Sequence, residues 1–268
     1  MTAAGLIFSN IHDKSLPELT RVRTMASVPF GGRYRLIDFA LSNMVNSGIT
    51  KIGLITHYNY QSLLDHVGTG KDWDLARRSG GIKILPPYIT AFANSNNVLY
   101  NTRLEALISI RDFISDCKEE IVVLSDCDSV CNIDLSAMID QHIATNADIT
   151  LGVKSSYLSQ DSARTLTIVR SDDSGRVTEV GEYQGLKNGF EDVCVRIIVI
   201  GRKYLEELIT DAVARGYTSF TKDILVRNCK FHNIRTFKFD SYFATVRSLS
   251  DYFRCSMDLL DPEIRRSL

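Results

Sequence analysis

Apolar runs of strand length alternate along this chain with segments whose apolar residues recur at helical spacing, and this rhythm restricts the fold more than any other feature. Strands are predicted at residues 3–9, 51–56, 120–125, 147–154 and 193–201. Helix faces are marked by Ile37, Leu41 and Met44, by Leu63, Leu64 and Val67, by Leu104, Leu107 and Ile108, and by Met138, Ile139 and Ile143. The run Ile-Val-Val-Leu at 121–124 offers no polar face, so it belongs in a strand covered on both sides. Such strands joined by helices give an α/β fold, a mostly parallel sheet sandwiched by helices. Gly48 is suited to end the first helix in a left-handed turn, Asp134 to cap a later one, and Ser248 with Asp251 to open the last. Residues 164–180 break the rhythm: two short runs around Asp-Asp-Ser-Gly predict a hairpin, a small β-rich insertion. There is no internal repeat, low-complexity tract or linker, so residues 1–268 read as one domain whose last residues, DPEIRRSL, directly follow the last helix.

Composition excludes several classes. The 268 residues are 44% hydrophobic and 24% charged, which excludes a disordered chain. With 31 basic against 32 acidic residues, nothing supports broad nucleic-acid binding. No stretch approaches the roughly 18 consecutive apolar residues of a membrane span, and no basic region precedes the first apolar run, so neither membrane nor secretion is expected. Six cysteines scattered from Cys117 to Cys255 make no disulfide framework in a chain this long, and a cytoplasmic location is expected.

Three stretches could carry chemistry. The predicted buried strand that opens 121–130 ends in Asp126 and Asp128, at the edge of a parallel sheet where open α/β folds bind ligands. Those carboxylates suit a hard divalent cation shared with phosphates, or equally a loop cap and a solvated group. The loop after the first strand, 9–27, has no glycine with which to cradle a phosphate, but His12, Lys14, Arg21 and Arg23 give it charge for an anion; a plain solvated connection fits as well. At 28–43, Pro29, Gly31 and Gly32 form a turn, and Arg33 and Arg35 stand at the start of a helix. Cys127 and Cys131 lack a matching pair at zinc-site spacing, His142 falls on a helix face, and the aromatics of 237–243 lack surrounding basic residues, so all of these read as packing.

The sequence SVPFGGRYRLIDFALSNMVNSGI, followed by KIGLITHYNYQSLLDHVG, resembles the sugar-1-phosphate nucleotidyltransferases, and most closely the glucose-1-phosphate adenylyltransferase (ADP-glucose pyrophosphorylase) family. The likeness continues through IVVLSDCD, ADITLGV, TSFTKDIL and SLSDYFRCSMDLL, covering nearly the whole chain. It implies a Rossmann-like sheet of the nucleotide-diphospho-sugar transferase type. It also implies a reaction in which ATP and glucose 1-phosphate give ADP-glucose, the donor for glycogen, and pyrophosphate with Mg²⁺. A left-handed β-helix domain expected in the family is absent from this chain.

The departures from the family pattern point one way. Where the family carries a GGxGTRL-like loop, this chain has Asn10, Ile11, His12, Asp13, Lys14, Ser15 and Leu16. In the R-x-K-P element Arg23 survives, while Met25 and Ala26 replace lysine and proline. The metal-binding aspartate is retained as Asp126, but its partner's place falls on Thr245. The E-K-P segment reads Glu182, Tyr183, Gln184, and the G-T-A-x-A helix start reads Thr102, Arg103, Leu104, Glu105, Ala106. Loss of one fixed donor typically costs about 10²- to 10³-fold in rate, so several losses imply feeble turnover.

The resemblance is therefore closest to a GlgD-type subunit, regulatory and with little or no activity alone, that assembles with a catalytic subunit. An active nucleotidyltransferase with an atypical site, and a nucleotide-sugar glycosyltransferase using Asp126-x-Asp128, are the alternatives. Ligand-binding candidates, toward ATP or a sugar phosphate, are Asn10, His12, Lys14, Arg23, Arg35, His57, Asp126 and Asp128, of which Arg23 and Asp126 are retained family positions. Mg²⁺ is the family's cofactor and is expected to bind weakly or not at all.

Overall fold

The computed structural model describes residues 2–77, 80–86, 100–159, 166–185 and 188–268. Nine strands build one sheet: β1 (Ala3–Phe8), β2 (Lys51–Ile55), β3 (Gly81–Leu85), β4 (Ile121–Asp126), β5 (Ile149–Leu158), β6 (Thr167–Ser171), β7 (Val177–Glu182), β8 (Gly189–Gly201) and β9 (Ile234–Lys238). Its main path runs β3-β2-β1-β4-β8-β5-β9, with the β6–β7 hairpin joined to β8 at Val193. Neighbours on that main path are parallel except around β8, which runs antiparallel to both β4 and β5. Among the described residues the α-helices of five residues or more are α1 (Leu36–Asn46), α2 (Gln61–Val67), α3 (Arg103–Ser109), α4 (Arg111–Ser115), α5 (Leu135–Ala144), α6 (Arg202–Arg215), α7 (Leu249–Asp258) and α8 (Pro262–Ser267). A two-stranded ribbon pairs Ser129–Cys131 with Phe243–Thr245.

Both faces of the sheet are covered, as the apolar runs require. Ala4, Leu6 and Phe8 of β1 join Val122 and Leu124 of β4 in one buried cluster with α3, α4 and α6. Ile7 joins Ile121 and Val123 in the other, with α1, α2 and α5. Each fully buried Leu, Ile or Phe contributes about 1.5–3 kcal/mol relative to exposure. Helix α1 ends as predicted at Gly48, with φ +77°. There Gly48 N donates to Val45 O and Ile49 N to Met44 O, each at 2.9 Å, which satisfies two terminal carbonyls. Asp134 and Ser248 cap α5 and α7 by accepting from Ala137 N and Asp251 N.

The five predicted strands are present, shifted by a few residues at their ends. The insertion is the β6–β7 hairpin, its turn closed by Asp172, which accepts from Ser174 N and Arg176 N. Strands β3 and β9 were not expected; they are short, lie at the two ends of the main path and are broken by Lys83 and by Arg235, Thr236 and Lys238, so no continuous apolar run marks them. The chain does not end directly after the helix that Ser248 opens. Asp261 caps a further helix, α8, with Pro262 at its first position. His142 is buried against Thr150 Oγ1 at 2.9 Å, and Cys127 and Cys131 are packed in the core. Among the described residues no helix is long and apolar enough to cross a membrane.

Candidate functional site

Strands β1, β2 and β4 end level with one another, Phe8 beside both Ile55 and Asp126. The crevice beyond the carboxyl ends of such strands is where an open α/β sheet receives a ligand. Asn10 ties the edge together from a buried position. Its Oδ1 accepts from Thr56 Oγ1 at 2.7 Å and His57 N at 3.0 Å, and its Nδ2 donates to Asp13 Oδ2 at 2.7 Å. Asp13 in turn accepts from Met25 N at 2.7 Å, and burial pushes its carboxyl up to about 6. A cleft of about 710 Å³ opens beside them, lined in part by Asn10, Lys14, Arg21, His57, Tyr100 and Asn101. Burial and the nearby Lys14 charge hold His57 below its ordinary pKa, and its ring packs on Tyr100 at 4.8 Å.

Deeper in, the two aspartates of β4 and its following turn are 1% and 0% exposed. Asp126 is clamped by Arg103, whose Nε donates to Oδ1 at 2.7 Å while Nη2 donates to Oδ2. His12 Nε2 lies 2.6 Å from the same Oδ2. Burial would raise the Asp126 carboxyl, but the Arg103 and His12 charges hold it well below the usual range. Arg196 Nη1 donates to Asp128 Oδ2 at 3.1 Å and stands 3.5 Å from Asp126 Oδ2 and 2.9 Å from His12 Nε2. A third guanidinium, Arg247, follows the ribbon beside Asp128, where Val246 N donates to Asp128 O at 2.8 Å. Burial and the Arg196 charge bring Arg247 down to about 10.

The aim of Arg196 is a backbone achievement. Between Cys194 and Ile198 the register of β8 against β5 shifts by two, a bulge in which residues 195–197 stand opposite the single Gly152. Arg196 sits in it at φ +61°, a left-handed conformation costly for a side chain with a Cβ. Gly152 of β5 faces the bulge; a Cβ there would meet Val195 Cγ2 at 2.9 Å and Ile197 O at 3.2 Å.

The predicted candidates thus divide. His12, Asp126 and Asp128 meet in the cluster, and Asn10, Lys14 and His57 line the cleft beside it. Arg23 is half-buried in the loop before Thr24, while its neighbour Arg21 lines the cleft. Arg35 Nη1 is turned to Ser62, donating to its carbonyl and hydroxyl at 2.6 Å. Thr245 pairs with Ser129, the residue after Asp128. Tyr183 is buried with its hydroxyl on Ser159 O, and Glu182 lies 3.5 Å from Lys222. Sequence reading missed Arg196 and Arg247 and saw Arg103 only as a departure. A lone arginine inside the apolar run 193–201 was the signal available for the first.

His12, Asp126 and Asp128 each offer a ligand atom, all within 4.8 Å of one another, so the donor types would suit a metal. The surroundings do not. Both Asp126 oxygens accept from Arg103, Asp128 accepts from Arg196, and three guanidiniums face two carboxylates. A divalent cation would have to enter against that charge, so the residues do not fit Mg²⁺.

Comparison with known proteins agrees with the fold. A family model described as nucleotidyl transferase matches residues 13–183. The glucose-1-phosphate adenylyltransferase of Thermosipho africanus is 32% identical over 260 residues, 96% of this chain and 62% of that protein. That of Clostridium acetobutylicum is 33% identical, covering 96% and 67%. The chain therefore spans only about two thirds of these relatives. A solved structure from Bacillus anthracis, assigned as a glucose-1-phosphate thymidylyltransferase and bound to a sucrose, superimposes with a TM-score of 0.75. It covers 97% of this chain and 96% of its own at 16% identity, a likeness of fold. By the extent of the model match and by relatives above 30% identity along nearly its whole length, the chain belongs to the nucleotidyl transferase family, alongside the glucose-1-phosphate adenylyltransferases.

Proposed function

We propose that this chain is a GlgD-type subunit of glucose-1-phosphate adenylyltransferase, with little or no turnover of its own. In this reading it supports a catalytic subunit that makes ADP-glucose from ATP and glucose 1-phosphate for cytoplasmic glycogen synthesis. The observation that carries the reading is the occupation of Asp126 and Asp128 by Arg103 and Arg196. Nucleotidyl transfer needs a metal to bridge phosphate oxygens and position the attack, and donors fixed where charge develops. Here the carboxylates that would hold the metal are already neutralised, and the loop that would cradle the phosphates has no glycine between Gly5 and Gly31.

The test is pyrophosphate release by the purified chain, by a catalytic subunit from the same source, and by the two co-expressed. Negligible release alone, co-purification and a raised rate together support the proposal. Turnover by the lone chain comparable with the catalytic subunit's, or an unchanged rate without co-purification, would overturn it. A second reading, an active transferase with an atypical site, is favoured only by the His12, Asp126 and Asp128 grouping. The first arm of the same assay separates the two.

A further inference from the structure

We propose that the groove between the β6–β7 hairpin and the sheet binds a neutral oligosaccharide, with Phe190 and Tyr157 as its stacking platform. The groove has a volume of about 900 Å³, in the range of small-ligand sites, and shares no lining residue with the cleft at the strand ends. Residues 170–175 of the hairpin line it together with Ser155, Asp192, Thr236 and Lys238 of the sheet. The hairpin turn is anchored on β9, where Thr236 N donates to Gly175 O and Arg235 Nη1 to Ser174 O, each at 2.9 Å. Phe190 lines the groove and is 74% exposed, and Tyr157 is 61% exposed. They stand directly opposite each other on β8 and β5, ring edge to ring face with centroids 5.4 Å apart. A single exposed apolar side chain needs no explanation, but two aromatic rings paired in water beside a groove suit a ligand. Asp192 and Ser155 are opposed in the same way two residues along, so their side chains share the face of the rings.

Charge selects the class of ligand. Four carboxylates, Asp172, Asp173, Glu191 and Asp192, line the groove against two cations, Arg170 and Lys238. Lys238 faces Asp192 at 2.7 Å, and Arg170 faces Glu179 at 2.8 Å and Glu191 at 3.8 Å. A nucleic acid or an anionic lipid would meet a negative excess whose cations are already paired, which disfavours both. A peptide groove is built around apolar anchors, and among the described residues Val169 and Phe190 are the only apolar side chains in the lining. A sugar chain answers every part of this surface. It carries no net charge, its hydroxyls donate to carboxylates and accept from ammonium and guanidinium groups, and its C–H faces lie flat on aromatic rings.

The experiment is isothermal titration of the full chain with maltoheptaose and with cellohexaose, two neutral glucans of different linkage, at low and at high salt. Binding of at least one probe, with a dissociation constant of about 1 mM or below and no change with salt, is expected. No binding of either probe, or an affinity that falls several-fold in high salt, would overturn the inference, and this arm needs no variant. Phe190→Ala and Tyr157→Ala should each weaken binding about tenfold, the scale of one aromatic stack. Phe231→Ala, which removes an 81% exposed ring outside the groove, should weaken it not at all. Equal losses in the three variants, or none in Phe190→Ala, would overturn the site. If neither glucan binds and Phe190→Ala turns a dimer into a monomer in sedimentation, the rings form an interface between copies and the inference fails. None of these results alters the pyrophosphate assay, so this proposal and the subunit reading fail separately.

Discussion

Replacing Arg196 separates two opposing contributions that the structure places on one residue. Arg196→Ala removes the cation that pairs with fully buried Asp128 at 3.1 Å while leaving a Cβ in a backbone at φ +61°. Stripping one partner from a buried ion pair costs roughly 3–5 kcal/mol. The neighbouring Arg247 and the 14% exposure of the Arg196 side chain argue for the lower end. Arg196→Gly loses the same ion pair but relaxes the backbone, and should be about 1 kcal/mol more stable than Arg196→Ala. Adding Asp128→Asn to Arg196→Ala removes the orphaned charge, so the double variant should be about 2 kcal/mol more stable than the sum of the single effects. Urea denaturation followed by circular dichroism measures the wild type, the three single variants and the double variant under one condition. If Arg196→Ala costs under about 1 kcal/mol, the ion pair contributes little to holding the buried Asp128 in place. If the alanine and glycine variants are equally stable, the bulge carries no strain.

Other outcomes follow from the same geometry. Burial holds His142 down to about 4 from 6.5, so the native state keeps it neutral while the unfolded chain protonates it. Its contribution is present above pH 6.5 and is lost as pH falls toward 4; denaturation at a series of pH values should show stability declining through that window, and His142→Gln should flatten the decline. Asn10→Ala leaves Thr56 Oγ1 and His57 N without their acceptor at the sheet edge and should cost about 1–3 kcal/mol in the same urea assay. Gly152→Val drives side-chain atoms into Val195 and the Ile197 carbonyl and should destabilise by about 1–3 kcal/mol; a melting temperature unchanged from wild type would show that the bulge does not need the space.

Much of this fold was legible because its central strands are apolar on both faces. The run 121–124 in β4 could belong only to a covered strand, and β1 and β2 gave the same signal. The outlying strands β3 and β9 are five residues long and interrupted by polar residues, and left no comparable trace. In the site, the aspartates were visible because they end an apolar run. The arginines were not visible as partners, because their meeting depends on topology: Arg196 and Asp128 are 68 positions apart, and His12 and Asp126 are 114. The left-handed turn at Arg196 has no glycine or asparagine to announce it. Arg103 was read as a lost helix-start motif, whereas its side chain clamps Asp126.

The irregularity in β8 also partitions that strand mechanically. From Ile197 to Gly201 it keeps step with β4. From Gly189 to Cys194 it keeps step with β5, offset by two residues relative to the later stretch. The slack between them acts as an expansion joint. Small changes of length upstream can be absorbed there without sliding the downstream residues along β4, so the early half of β8 and its attached hairpin are free to diversify while the interior remains in phase.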